Sequence, residues 1–83
     1  MIKIRHVKRN NYRIFFSINA QKILPFTQFK FDLKNMSIRE ASEFEKSHKI
    51  CKYGSSSICS SIDISGNYTI TREDDIYYLT LIR

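Results

Sequence analysis

Apolar and polar residues alternate one for one over much of this chain. A period of two can put its apolar set on a single side only as β-strand, so the pattern constrains the fold more than any other feature. It runs through Ile2, Ile4, Ile14, Phe16 and Ile18, then through Phe29, Phe31 and Leu33, and again through Tyr68, Ile70, Leu79 and Leu81. With one proline and two glycines in 83 residues, little chain is left over for irregular connections.

Parity also tests how the strands pair, because a one-residue slip exchanges the two faces of a strand. A two-residue turn at Asn10 and Asn11 would pair Val7 with Ile14 and split the N-terminal isoleucines between opposite faces. A three-residue loop of Asn10, Asn11 and Tyr12 pairs Ile4 with Ile18, His6 with Phe16 and Lys8 with Ile14. That register gathers Ile2, Ile4, Ile14, Phe16 and Ile18 on one face, and asparagine tolerates the left-handed backbone such loops need. The opposite face then carries Lys3, Arg5, Arg9 and Arg13 around Val7 and Phe15, with Arg9 across from Arg13.

After a connection from Ala20 to Pro25, "FTQFKFDL" reads as a third strand. The stretch "NMSIREASEFEKSHKI" reads as the one helix, beginning at Ser37. Ser37 and Glu40 have capping-box spacing, and Met36 and Ala41 are placed for a hydrophobic staple. Glutamates crowd its first half, while Lys46, His48 and Lys49 fill its last turns, and Ile38, Ala41, Phe44 and His48 form an apolar stripe. Tyr53 and Gly54 are expected to end it. The tail reads as a three-strand meander: a Ser65, Gly66, Asn67 loop pairs Ile64 with Tyr68, and an Asp74-Asp75 turn pairs Ile70 with Leu79 and Tyr68 with Leu81. The expected architecture is one α+β domain over residues 1–83, antiparallel sheet with one covering helix, in the order β-β-β-α-β-β-β.

Chemistry-bearing motifs are scarce. His48 reads as a packing or capping residue and His6 as a half-buried filler, and neither has a Ser, Cys or carboxylate spaced to complete a nucleophile–base pair. "YGSSSICSS" lacks the G-x-x-x-x-G-K-[ST] order of a phosphate loop, and the "REDD" acids read as solvent-facing turn residues. Cys51 and Cys59 are too few for a disulfide framework and are expected as thiols in a reducing compartment; with His48 they fall short of a zinc ligand set. No apolar run reaches the ~18 residues of a spanning helix, and "IFFSI" is shorter than a secretory h-region, so a cytoplasmic protein without membrane attachment is expected. The expectation is a non-enzyme with no metal and no cofactor.

Charge is the remaining signal. The net formal charge is +6, and its distribution is lopsided: residues 1–34 hold eight cations against Asp32 alone, whereas residues 35–83 hold six cations against seven acids. Such asymmetry favours an acidic partner. The candidate partner-binding residues are Lys3, Arg5, Arg9, Arg13 and Phe15, extended by Lys30. The abundance of Ile, Lys, Asn, Tyr and Phe is typical of AT-rich genes, common in phages and mobile elements. The leading expectation is therefore a small binding protein that docks its basic face on an acidic protein surface or a nucleic-acid-containing host complex and inhibits it, as anti-CRISPR and other anti-defence proteins do. The alternative is direct binding of single-stranded RNA or DNA by the same face, cations on phosphates and Phe15 under a base.

A third reading comes from "GNYTITREDDIYYLTLIR", which resembles in outline the final strands of RelE-like messenger-cleaving toxins. The resemblance implies a small basic ribonuclease. It covers no catalytic motif, and those toxins begin with helices where this chain begins with strands, so no residue role is carried over.

Overall fold

The computed structural model describes residues 1–51 and 54–82; Tyr53, expected to help end the helix, lies outside them. Eight strands and one short helix follow in the order β1 (Ile2–Lys8), β2 (Asn11–Phe16), α1 (Ile18–Ile23), β3 (Gln28–Asp32), β4 (Ser37–Glu40), β5 (His48–Lys49), β6 (Ser55–Cys59), β7 (Gly66–Glu73) and β8 (Ile76–Leu81). All strands belong to one antiparallel sheet, ordered β5-β3-β4-β8-β7-β1-β2-β6. The sheet curls until its edges nearly meet, and the Cys51 N–H donates to the Ser55 carbonyl at 2.9 Å beside the seam. The result is an almost closed small barrel, not the α+β sheet with a covering helix that the sequence suggests.

The expected helix is absent, and its segment does three other things. Ser37–Glu40 is a central strand, paired with β3 through Phe31 and Ile38 and with β8 through Ile38 and Tyr77. Residues 41–47 form a loop, and His48–Lys49 is an edge strand. Two ladders satisfy the β4 backbone on both sides and seal Ile38 at 1 % exposure. A short helix is marginal without a docked apolar face, so local capping signals lose to that pairing. The turn that makes this possible is local: Asp32 Oδ1 accepts from the Lys34 N–H at 3.0 Å, Asn35 Nδ2 donates to Asp32 Oδ2 at 2.8 Å, and Met36 takes a positive φ of 48°. Asp and Asn close turns in this way.

The helix that does form lies where a connection was expected. Ser17 caps α1, its Oγ accepting the Ala20 N–H at 3.1 Å and the N-terminal ammonium at 2.9 Å. Pro25 follows the C-cap residue Leu24, where a missing N–H and a fixed φ prevent continuation. The helix buries only Ala20 and lies at the barrel end that holds the start of β1 and the end of β2.

In the first hairpin the faces are as expected, but the register differs. Ile2 faces Phe16, Ile4 faces Ile14, Arg5 faces Arg13 and His6 faces Tyr12, with an irregularity between His6 and Lys8. The turn is Arg9-Asn10, with Arg9 at φ 52°, and the His6 ring nitrogen Nε2 donates to the Arg9 carbonyl at 2.7 Å. An extra residue at Val7 lets a tight turn keep Ile2, Ile4, Ile14 and Phe16 together, which removes the reason for the three-residue loop. It also frees Tyr12 from the loop and buries it at 6 % exposure against β6. Ile18, expected across from Ile4, is instead 72 % exposed on α1.

At the other end of the chain, the β7–β8 hairpin turns at Asp74-Asp75 and pairs Ile70 with Leu79 and Tyr68 with Leu81, as the alternation predicts. The meander's first strand does not join it. Ser55–Cys59 pairs with β2, and β7 pairs with β1 instead. Ile64 lies in the crossing between them, held where the Tyr68 hydroxyl donates to its carbonyl at 2.7 Å, while Ile62 is exposed.

Phe29 is at the centre of packing, fully buried, with the Phe16 ring at 5.6 Å and the His48 ring at 5.4 Å. Phe44, expected in the core of a docked helix, is 91 % exposed at a loop tip. Truncating Phe29 to Ala should therefore cost about 3–5 kcal/mol, while Phe44→Ala should change stability by about 0.5 kcal/mol or less. Paired denaturant titrations check this, and equal losses would place Phe44 in the core after all.

Candidate functional site

Each strand of a small barrel sends alternate side chains inward, so the residues left outside form a continuous wall. On β1 and β2 the outward set is Lys3, Arg5, Arg13 and Phe15. The ladder sets Lys3 beside Phe15 and Arg5 beside Arg13. On the next strand, Ser57 lies across from Arg13 and Ser55 across from Phe15. On the other flank Asn67 of β7 lies across from Lys3.

Arg13 is anchored within this wall. One guanidinium nitrogen, Nη1, donates to Ser57 Oγ at 3.1 Å, and Nη2 donates to Ser55 Oγ at 2.9 Å with the Cys51 sulfur 4.0 Å away. The Cys51 sulfur and Ser55 Oγ are themselves 3.2 Å apart. Cys51 and Cys59 are not joined in a disulfide. Neutral hydroxyls orient the guanidinium without cancelling its charge. Among the described residues the ion pair that forms is Arg39–Glu45, on another part of the barrel, so Lys3, Arg5 and Arg13 make no ion pair among them. Cross-strand neighbours sit about 4.5–5.5 Å apart at Cβ, and like charges so placed repel. Half-buried Phe15 is next to them on that face, two residue pairs along the ladder.

Two of the residues expected in this surface are not brought to it. Arg9 occupies the hairpin turn instead of facing Arg13, because the tighter turn moves Arg5 into that place. Lys30 belongs to β3, where it pairs with Arg39 and exerts its charge on Glu45. Ser55 and Ser57 were not singled out as partners of Arg13 in the sequence; the available signal was the alternation of Ser55, Ser57 and Cys59 with the inward Ser56 and Ile58. The same strand replaces the imagined phosphate loop: residues 55–59 are extended backbone, not a cradle leading into a helix.

No protein-family model, curated protein or solved structure matches the chain.

Among the described residues no three His, Cys, Asp or Glu side chains come together as a metal site, and no helix is long and apolar enough to cross a membrane. A hollow of about 310 Å³ at one end of the barrel is lined by Arg39, Glu40, Arg72 and Asp75 with Phe26 and Tyr77. Its charges oppose one another, and Arg72 already donates through Nε to the Asp74 carbonyl at 2.9 Å.

Beside that hollow, Arg39 grips Glu45 through two bonds, Nη1 to Oε1 at 2.8 Å and Nη2 to Oε2 at 3.1 Å, while the Ser42 N–H donates to Oε1 at 2.8 Å. These bonds favour the charged carboxylate; the Arg39 bond contributes most and the Ser42 amide next, and together they lower its pKa to about 2 from an ordinary 4.5. A folded-state value below the unfolded one means the clasp is intact above pH about 4.5 and is lost as pH falls toward about 2. Carboxyl-carbon NMR across that range should give Glu45 a midpoint near 2, and Arg39→Gln should return it toward 4.5. A midpoint near 4.5 in the unaltered protein would mean that the clasp does not persist in solution.

Proposed function

We propose that this chain is a non-catalytic nucleic-acid-binding protein of the cytoplasm that holds single-stranded RNA or DNA on the outer wall of β1, β2 and β6. The observation that carries the reading is the Arg5–Arg13 pair, two cations opposed across a ladder, neither in an ion pair among the described residues. In the unbound protein that pair is a cost, and an external anion removes it. Phosphates along a flexible strand supply such anions at the spacing of residues along a sheet. Phe15, flanked by Arg13 on its own strand and by Lys3 across the ladder, offers a face for one base. Arg13, oriented by Ser55 and Ser57, loses little side-chain freedom on binding.

A single strand fits better than a duplex. Reading a major groove calls for a projecting helix or ribbon, and α1 is six residues long, capped, and packed at the barrel end. A wall of three cations around one aromatic suits a splayed base and a trailing backbone. An inhibitor that docks the same wall on an acidic protein would need no affinity for free nucleic acid, and that difference separates the two.

Polarisation titrations with labelled oligonucleotides between about 50 and 200 mM salt provide the test. Three phosphate contacts, from Lys3, Arg5 and Arg13, should give a log–log slope of about −2 for a single strand. Arg5→Glu should abolish binding yet raise the melting temperature, because it sets a carboxylate opposite Arg13 where a cation stood. Lys46→Glu with Lys49→Glu should leave binding nearly unchanged. Absence of binding to any RNA or DNA at low salt would overturn the proposal and leave an acidic protein surface as the partner, and binding that survives Arg5→Glu would place the site elsewhere.

A further inference from the structure

Among the described residues the most exposed large apolar side chain is Phe44, at the tip of the loop between β4 and β5. It is not carried on loose chain. The Glu45 N–H donates to the Ser42 carbonyl at 3.3 Å, and the Arg39–Glu45–Ser42 clasp fixes the same turn through side chains. A rigid turn that holds a phenyl ring 91 % in water spends apolar surface without an intramolecular return. An aromatic presented on pre-ordered backbone is the usual form of an interface anchor.

A receptor for that anchor exists on the chain itself. At the same end of the barrel an apolar hollow of about 350 Å³ is lined by Gln21, Leu24, Pro25, Phe26, Thr27 and Ile50. Its position relative to the loop is set by two backbone bonds: the Ala41 N–H donates to the Gln28 carbonyl at 3.1 Å, and the Ile50 N–H donates to the Thr27 carbonyl at 2.8 Å. The loop thus leaves and rejoins the sheet beside the hollow, yet the clasp keeps its ring pointed into solvent.

We infer that this end of the barrel is a self-association surface, where Phe44 of one copy seats in the Leu24–Pro25–Phe26–Ile50 hollow of a second copy, and the reverse. A knob and a hollow on one rim are what a two-fold contact requires, since each copy then gives and receives the same element. Charge supports a second copy as the occupant. The hollow's segment and the loop, residues 21–27 and 37–50, hold Lys22, Arg39, Lys46 and Lys49 against Glu40, Glu43 and Glu45, so this surface carries +1 of the chain's net +6. Two copies meeting here avoid most of the repulsion they would meet at the β1–β2 wall. Glu43 and Lys46, exposed on either side of Phe44, supply the opposite charges that a two-fold contact can pair. The contact is small, so association belongs to high protein concentration.

Sedimentation velocity of the intact chain from about 10 µM to 1 mM should show a monomer–dimer equilibrium. Phe44→Asp should weaken it by roughly tenfold or more while leaving the melting temperature unchanged, since the ring has no folded-state burial to lose. Thr27→Arg, a substitution at an exposed position on the hollow's rim, should do the same from the receiving side. In a mixture of labelled and unlabelled protein, isotope-filtered NOEs should join the Phe44 ring to Leu24 and Ile50 methyls of different chains. A monomer throughout the range, a dimer indifferent to both variants, or NOEs confined to one chain would each overturn the inference. None of these outcomes depends on whether the β1–β2 wall binds nucleic acid.

Discussion

Ile4 stands opposite Ile14, and much of what this protein presents to solvent follows from that pairing. A barrel of this size has one interior, and each strand can fill it only with alternate side chains. Once Ile2, Ile4, Ile14 and Phe16 are assigned inward, Lys3, Arg5, Arg13 and Phe15 have nowhere to go but out. Burying the four inward side chains contributes roughly 1.5–3 kcal/mol each. The repulsion between Arg5 and Arg13 costs at most about 1 kcal/mol. The core wins, and the cation pair is a consequence that the fold can tolerate.

Tolerance does not explain why neither arginine has an ion-pair partner among the described residues. The chain has eight carboxylate side chains, and the described one that makes an ion pair, Glu45, serves a loop on another part of the barrel. Around Arg13 the neighbours are hydroxyls and a thiol, which orient a guanidinium while leaving its charge available. A surface selected for stability alone would place a carboxylate at Ser57 or at Arg5, either of which would stabilise the ladder. This combination of fixed geometry and unspent charge is the physical basis for reading the wall as a binding surface.

Parity was legible in the sequence wherever both faces of a strand differed sharply. Ile2 and Ile4, Phe29 and Phe31, and the pairing of Ile70 with Leu79 could all be read from alternation, and so could the concentration of cations on the N-terminal hairpin. Three features could not. The first hairpin's register depends on an irregularity near Val7 and a positive φ at Arg9, neither of which has a residue signature as clear as Asn-Gly. Ser37, Glu40, Ala41 and Phe44 carry helical spacing, but the decision belongs to β3 and β8, which offer Ile38 a ladder on each side. The partnership of β6 with β2 joins residues forty or more positions apart, and "SSSIC" offers one inward isoleucine to announce it. Of the proposed site, Lys3, Arg5, Arg13 and Phe15 were readable, while the serines that anchor Arg13 were not, because their role exists only once that distant strand has arrived.

The unpaired cations and the most exposed described ring lie on different parts of this barrel, and that separation matters for how the two proposed surfaces coexist. The side wall has cations that form no ion pair among the described residues; residues 37–50 hold three cations and three acids around one exposed ring. Association through the wall would bring like charges together within a Debye length and be opposed at low salt, whereas association through the loop end is nearly indifferent to salt. A polyanion, in turn, gains little at the nearly neutral end and is drawn to the wall. Each surface therefore disfavours the other's occupant. Should two copies join through Phe44, both walls stay exposed on one particle, and a strand long enough to reach both is held by the product of two modest grips and not by one strong one.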